Sequence, residues 1–129
     1  MRAATAILIA SHGVGFSIWF MSAWTPSVLR GEPRLVFSAP GMPVTGGLGK
    51  GIGLVAVVAL AGFLASGWGV WQGAAWWPVV LIGSSLISLP VAAAVWNPVG
   101  IVSVPALLAS VVLIAATLRP WGERFLGAH

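Results

Sequence analysis

IGLVAVVALAGFLASGWGVW, residues 52–71, contains no charged side chain and no proline. A helix of about 20 residues rises about 30 Å, the hydrocarbon thickness of a bilayer. Three further stretches are of similar length and character: residues 3–24, 77–96 and 101–118. In lipid every backbone N–H and C=O must be satisfied within the protein, so helices are the natural form for such segments. Strands of a membrane barrel would alternate polar and apolar side chains, and these segments do not. The expectation is an all-α, integral membrane four-helix bundle forming one domain over residues 1–129.

Composition agrees. The chain is 59% hydrophobic and 6% charged, against roughly 25% charged for a soluble domain. The formal net charge of +4 rests on six Lys/Arg and two acids, Glu32 and Glu123. These groups fall at the chain ends and in one loop, where they read as headgroup anchors and not as a nucleic-acid footprint. Cysteine is absent, which excludes disulfides, thiolate metal sites and cysteine nucleophiles. A single Lys, a single Asn and no Tyr, beside abundant Ala, Gly and Trp, point to a bacterial chain and a cytoplasmic-membrane location.

Arg2 followed by an apolar run has the outline of a signal peptide. The run exceeds the 7–15 residues of such a core, so a retained span is expected. Tryptophans mark the span ends: Trp24 and Trp96 at one level, Trp68, Trp71, Trp76, Trp77 and Trp121 at the other, with Trp19 a turn inside. The connections are unequal. Residues 25–50 form a long loop rich in Pro and Gly, whose Val36 and Phe37 could dip into the interface. The other two are short, which makes spans two, three and four antiparallel neighbours. The positive charges divide evenly between the two sides: Arg2, Arg119 and Arg124 against Arg30, Arg34 and Lys50. Because the tail arginines lie close to the membrane edge, both termini are expected in the cytoplasm.

Small residues bring membrane helices together, since lipid is as apolar as leucine. Span two carries Ala59, Gly62, Ser66, Gly69 and Gly73 at spacings of 3 and 4, hence on one face. Span one offers Ser11, Gly15 and Ser22; span three Ser85, Ser88 and Ala92; span four Ser103, Ala106, Ser110 and Thr117. A closed bundle with these stripes inward is expected. Ala59, Gly62, Ser66, Gly69 and Ser110 are its packing residues. Pro90 and Pro105, read as interior to spans three and four, would kink them.

His12 is the one ionisable side chain inside the spans. An intramembrane histidine is a functional candidate by default, and is expected uncharged there. It shares a helix face with Phe16 and Trp19. Two roles are open: contact with a pigment, quinone or metal, or a hydrogen bond to a serine on another helix. A haem held by two histidines would need a second copy of the chain, because His129 lies in the tail. Asn97, beside Pro98, reads as a helix terminator. The glycine-rich run 45–51 lacks Gly at Val44 and Ser/Thr at Gly51, so it is not a phosphate-binding loop. No Asp, Glu, Lys or Arg lies in a span to couple ions, and no catalytic set or metal-ligand cluster is evident.

His12-Gly13 followed by Phe16 and Trp19, the Trp76-Trp77-Pro78 opening of the third span and the Trp96-Asn97-Pro98 turn resemble a group of small four-helix bacterial membrane proteins without assigned function. The spacing from His12 to Trp19 is also similar to the first helix of CopD-like copper-resistance membrane domains. That family places further metal-binding residues on other helices, whereas spans two to four here carry no His and no Met.

The reading is a non-enzymatic accessory or structural subunit of a larger membrane complex. It would be embedded in the lipid bilayer with membrane-protein partners or further copies of itself, touching a lipid-soluble cofactor of unidentified kind through His12. The alternative is a stand-alone binder or carrier of a small hydrophobic molecule, with His12, Trp19 and Ser88 as ligand-binding residues and Pro90 bending the cavity wall.

Overall fold

The computed structural model describes residues 2–25, 34–35, 45–96 and 103–118. The Asn97 turn, most of the 25–50 loop, the side chain of Ser103 and the tail with Arg119, Trp121, Arg124 and His129 lie outside the described residues. The described chain is an all-α bundle. Span one is α1 (Arg2–Gly15) and α2 (Ser17–Trp24), span two is α3 (Gly47–Gln72), span three is α4 (Trp77–Ala94) and span four is α5 (Ser103–Leu118). Among the described residues three of the spans are long and apolar enough to cross a membrane, and the described part of α5 is a shorter apolar helix.

Spans one to three depart from their expected bounds for local reasons. Span one is interrupted at Phe16. There the Phe16 N–H donates to the Gly13 carbonyl at 2.9 Å and the Trp19 N–H to the Phe16 carbonyl at 3.2 Å, a tighter winding than the α-helix. Gly13 and Gly15 weaken the helix here, and the Ser17 hydroxyl donates to the Val14 carbonyl at 2.7 Å, a side-chain bond that competes with the backbone ladder.

Helix α3 begins five residues earlier than expected, at Gly47 in place of Ile52. Glycines disfavour helix in isolation. Here Gly49 and Gly53 are buried, and a Cβ on Gly53 would lie 3.3 Å from the Ala23 Cβ, so packing offsets the local cost. Helix α4 stops at Ala94, because Val95 and Trp96 leave it to pair antiparallel with Leu35 and Arg34 of the long loop. Helix α5 is described from Ser103 onward, with Pro105 as its third described residue. Pro90 does lie inside α4, on an exposed face.

Span one runs antiparallel to α3, and their contacts fix the register. A Cβ on Gly73 would be 2.9 Å from the Arg2 guanidinium; on Gly67, 2.9 Å from the Ala6 carbonyl oxygen; on Gly13, 2.5 Å from the Phe63 Cβ. At the far end the Lys50 ammonium lies 5.2 Å from the Trp24 ring centroid. The buried positions of α3 along this seam include Gly49, Gly53, Ala56, Phe63, Gly67 and Val70, a second repeat of 3 and 4 beside the one read from the sequence.

The expected stripe faces α4. Ala59 and Ser66 are fully buried. Added Cβ atoms on Gly62 and Gly69 would collide with Ser84 and with Trp77. Gly73, the expected fifth member, is exposed and ends the helix at φ 70°. The Ala74 N–H reaches the Gly69 carbonyl at 2.9 Å and the Gly73 N–H the Val70 carbonyl at 3.2 Å, a left-handed termination that favours glycine.

Burial is inverted relative to a water-soluble helix bundle. The interior is mostly Ala, Gly and Ser around Ile9, Phe16, Trp19, Phe63 and Leu81, while Leu8, Val58, Val79, Leu108 and Val112 face outward. Trp68, Trp71 and Trp76 are exposed and Trp77 is buried. Small residues inside and bulky aliphatics outside are what close helix approach in lipid produces.

In span one the close approach falls to Gly13, not to the expected Gly15, around which nothing lies within 4 Å of an added Cβ. Gly13→Ala is therefore expected to destabilise the protein by about 1–3 kcal/mol, the usual range for overpacking. Gly15→Ala is expected to be neutral. Thermal unfolding of the two variants in the same detergent measures the difference.

Candidate functional site

The helices are arranged in chain order. Span one packs along α3, α3 along α4, and α4 along α5, but α5 meets α1 over only a short stretch. The bundle expected to be closed is thus tight on three seams and open on the fourth. A cleft of about 270 Å³ occupies that seam, with Ser11, His12 and Gly15 on one wall and Pro105, Ala106 and Ala109 on the other; Phe16 and Trp19 complete it. Ser11, Gly15 and Pro105 are exposed, so the cleft reaches the outer surface of the bundle.

His12 is half-buried and crosses the seam. Its Nε2 lies 3.1 Å from the Ser110 hydroxyl of α5. The Ser110 and Ser88 hydroxyls are 2.8 Å apart, and the Ser88 hydroxyl donates to the Ser85 carbonyl at 2.8 Å. One polar chain therefore joins α1, α5 and α4. The serine bond, one of the two roles open to His12 from the sequence, is present. The chain ends on a carbonyl, which accepts a hydrogen bond but relays no proton, so these hydroxyls do not form a conduction path.

Aromatic rings fix the imidazole on its other sides. Phe16 and Phe63 both meet it edge-on, with centroids 5.4 Å and 4.9 Å away, and they stack on each other at 5.8 Å. Each such contact contributes about 0.5–1.5 kcal/mol beyond area burial. Both phenylalanines are buried, so the ring is clamped by the core rather than free to turn.

Trp19 is buried and lines the cleft. Ser88 is buried but is not part of the wall; it stands behind Ser110. Pro90 is not in the wall either, and Pro105 takes that place. Ser110, expected only as a packing residue, is the direct partner of His12. Its place on the hydroxyl stripe of span four was the available signal. Phe63 carried no signal, since one phenylalanine in an apolar helix looks like any other. Ser22, Ser66 and Thr117 each donate to the carbonyl four residues back, and such bonds commit the one hydroxyl proton.

A second groove of about 400 Å³ lies between α1 and α3, lined by Ala6, Ala10, Gly67, Trp68 and Trp71 among others, with no ionisable side chain among the described residues. Among the described residues no group of three His, Cys, Asp or Glu could hold a metal ion. No family model matches the chain, and no curated protein or solved structure matches it.

Interhelical hydrogen bonds in membranes contribute about 0.6 kcal/mol each on average. Ser110→Ala removes two and is expected to cost about 1 kcal/mol. Ser85→Ala is expected to be neutral or stabilising, because the Ser85 hydroxyl oxygen is buried without a partner among the described residues. Chemical unfolding in mixed micelles distinguishes the two, and equal losses would contradict the assignment.

Proposed function

We propose that this is a multi-pass protein of a bacterial cytoplasmic membrane, with both termini in the cytoplasm, that holds a small lipid-soluble molecule beside His12 without transforming it. The observation that carries this reading is the open seam. Its walls are apolar except for Ser11 and the imidazole, and its volume of about 270 Å³ is several times the ~30 Å³ of a water molecule. That is room for a ring or a short chain entering sideways from the acyl region. Apolar pockets with one or two placed polar groups are the usual form of small-molecule sites.

The accessory-subunit role expected from the sequence is the second reading. Exposed Val104, Leu108, Val111 and Val112 on α5 would give a partner helix an apolar face beside the same cleft.

Native mass spectrometry after mild detergent extraction separates the two. The binder is expected to retain a small molecule, to lose most of it in His12→Ala, and to lose it in Ala106→Trp, which fills the cleft, while both variants keep wild-type helicity. An empty wild-type protein accompanied by a stoichiometric protein partner would replace binding with the accessory role. Retention of the molecule by Ala106→Trp would place it elsewhere.

A further inference from the structure

The hydroxyl chain behind His12 sets which hydrogen-bonding group the cleft can recognise. A serine hydroxyl has one proton, and a carbonyl can only accept. The proton of Ser88 goes to the Ser85 carbonyl. In the contact between the two hydroxyls, Ser88 must then accept and Ser110 must donate. With its proton committed to Ser88, Ser110 can only accept from His12. The Nε2 of His12 therefore carries the hydrogen, and a neutral imidazole has just one, so Nδ1 presents a bare lone pair.

Among the described residues nothing donates to that lone pair, since the serine contact is the hydrogen bond His12 makes. Nor is the atom sealed away: the only buried side-chain polar atom lacking a partner among the described residues is the Ser85 hydroxyl oxygen. The ring itself lines the cleft, and its orientation is held by Phe16, Phe63 and Ser110. Among the described residues no charged side chain lines this cleft, so a charged ligand would find no counter-ion among them.

We infer that the cleft selects an uncharged, hydroxyl-bearing lipid-soluble molecule, an alcohol or phenol, whose O–H donates to His12 Nδ1, and discriminates against the matching ether or carbonyl compound. This rests on the binding role proposed above and adds the polarity of the recognised group. At Nδ1 a ligand that can only accept meets a lone pair with a lone pair. A donor gains one hydrogen bond, about fivefold in affinity by the ordinary strength of such a bond.

The test uses the full chain carrying His129→Gln, so that His12 is the one imidazole observed, in lipid nanodiscs with isotope-labelled histidine. Nitrogen NMR is expected to show the hydrogen on Nε2 in the free protein. Para-heptylphenol is expected to bind at least fivefold tighter than its methyl ether and to shift the Nδ1 resonance. Ser110→Ala, checked for an unchanged helical signal, is expected to mix the two tautomers and erase most of that preference. A hydrogen found on Nδ1, or equal affinity for the two probes, overturns the inference and leaves cleft binding standing. Binding of neither probe overturns the binding role itself, and the inference with it.

Discussion

Backbone contact between span one and α3 is the constraint from which the rest follows. Where lipid surrounds the helices, burying apolar surface against a neighbour gains little, because the acyl chains offer an equivalent environment. What remains is dispersion between closely packed atoms, and that requires side chains small enough to be absent. Gly13 seated on Phe63, and Gly67 on the Ala6 carbonyl, supply it. That contact sets the height of His12 along the bundle and places Phe63 against the imidazole.

The same packing leaves the fourth seam unfilled. Span one is committed to α3 and α5 to α4, so α1 and α5 face each other across small residues without closing. Ser11, Gly15, Ala106 and Ala109 are the residue types that elsewhere in this molecule permit contact. Here, with no partner brought near enough, their smallness becomes volume. The His12–Ser110 hydrogen bond spans that gap, and the interruption of span one at Phe16 lies within one turn of it. Local weakness of the helix, the polar crosslink and the cavity therefore coincide at one depth.

Much of the architecture was legible from residue types alone. Hydropathy over some 20 residues marked all four helices, and the short connections anticipated that α4 neighbours both α3 and α5. The boundaries were less legible, for a physical reason visible at Gly49 and Gly53. Propensity counts against glycine, whereas a neighbouring helix can make its lack of a side chain favourable. The candidate site was half legible. His12 stood out because an ionisable group in lipid is costly, and Trp19 because it lay off the interface. Ser88 was placed in the wall but stands behind Ser110. Phe63 was not anticipated, because no single-helix pattern says which phenylalanine will meet a histidine from another helix.

By itself, then, the sequence determined the apolar length of the spans, their helical state and the identity of the one ionisable side chain inside them. These follow from transfer free energies and backbone hydrogen bonding, which act within a segment and need no knowledge of its neighbours. Only the tertiary structure decided that Gly13 and not Gly15 makes the close approach, that α1 and α5 stay apart, and that His12, Ser110 and Ser88 meet in one hydrogen-bonded chain. Those outcomes depend on the rotation and register of one helix against another. They are set jointly by all the contacts along a seam, and no one stretch of chain contains them.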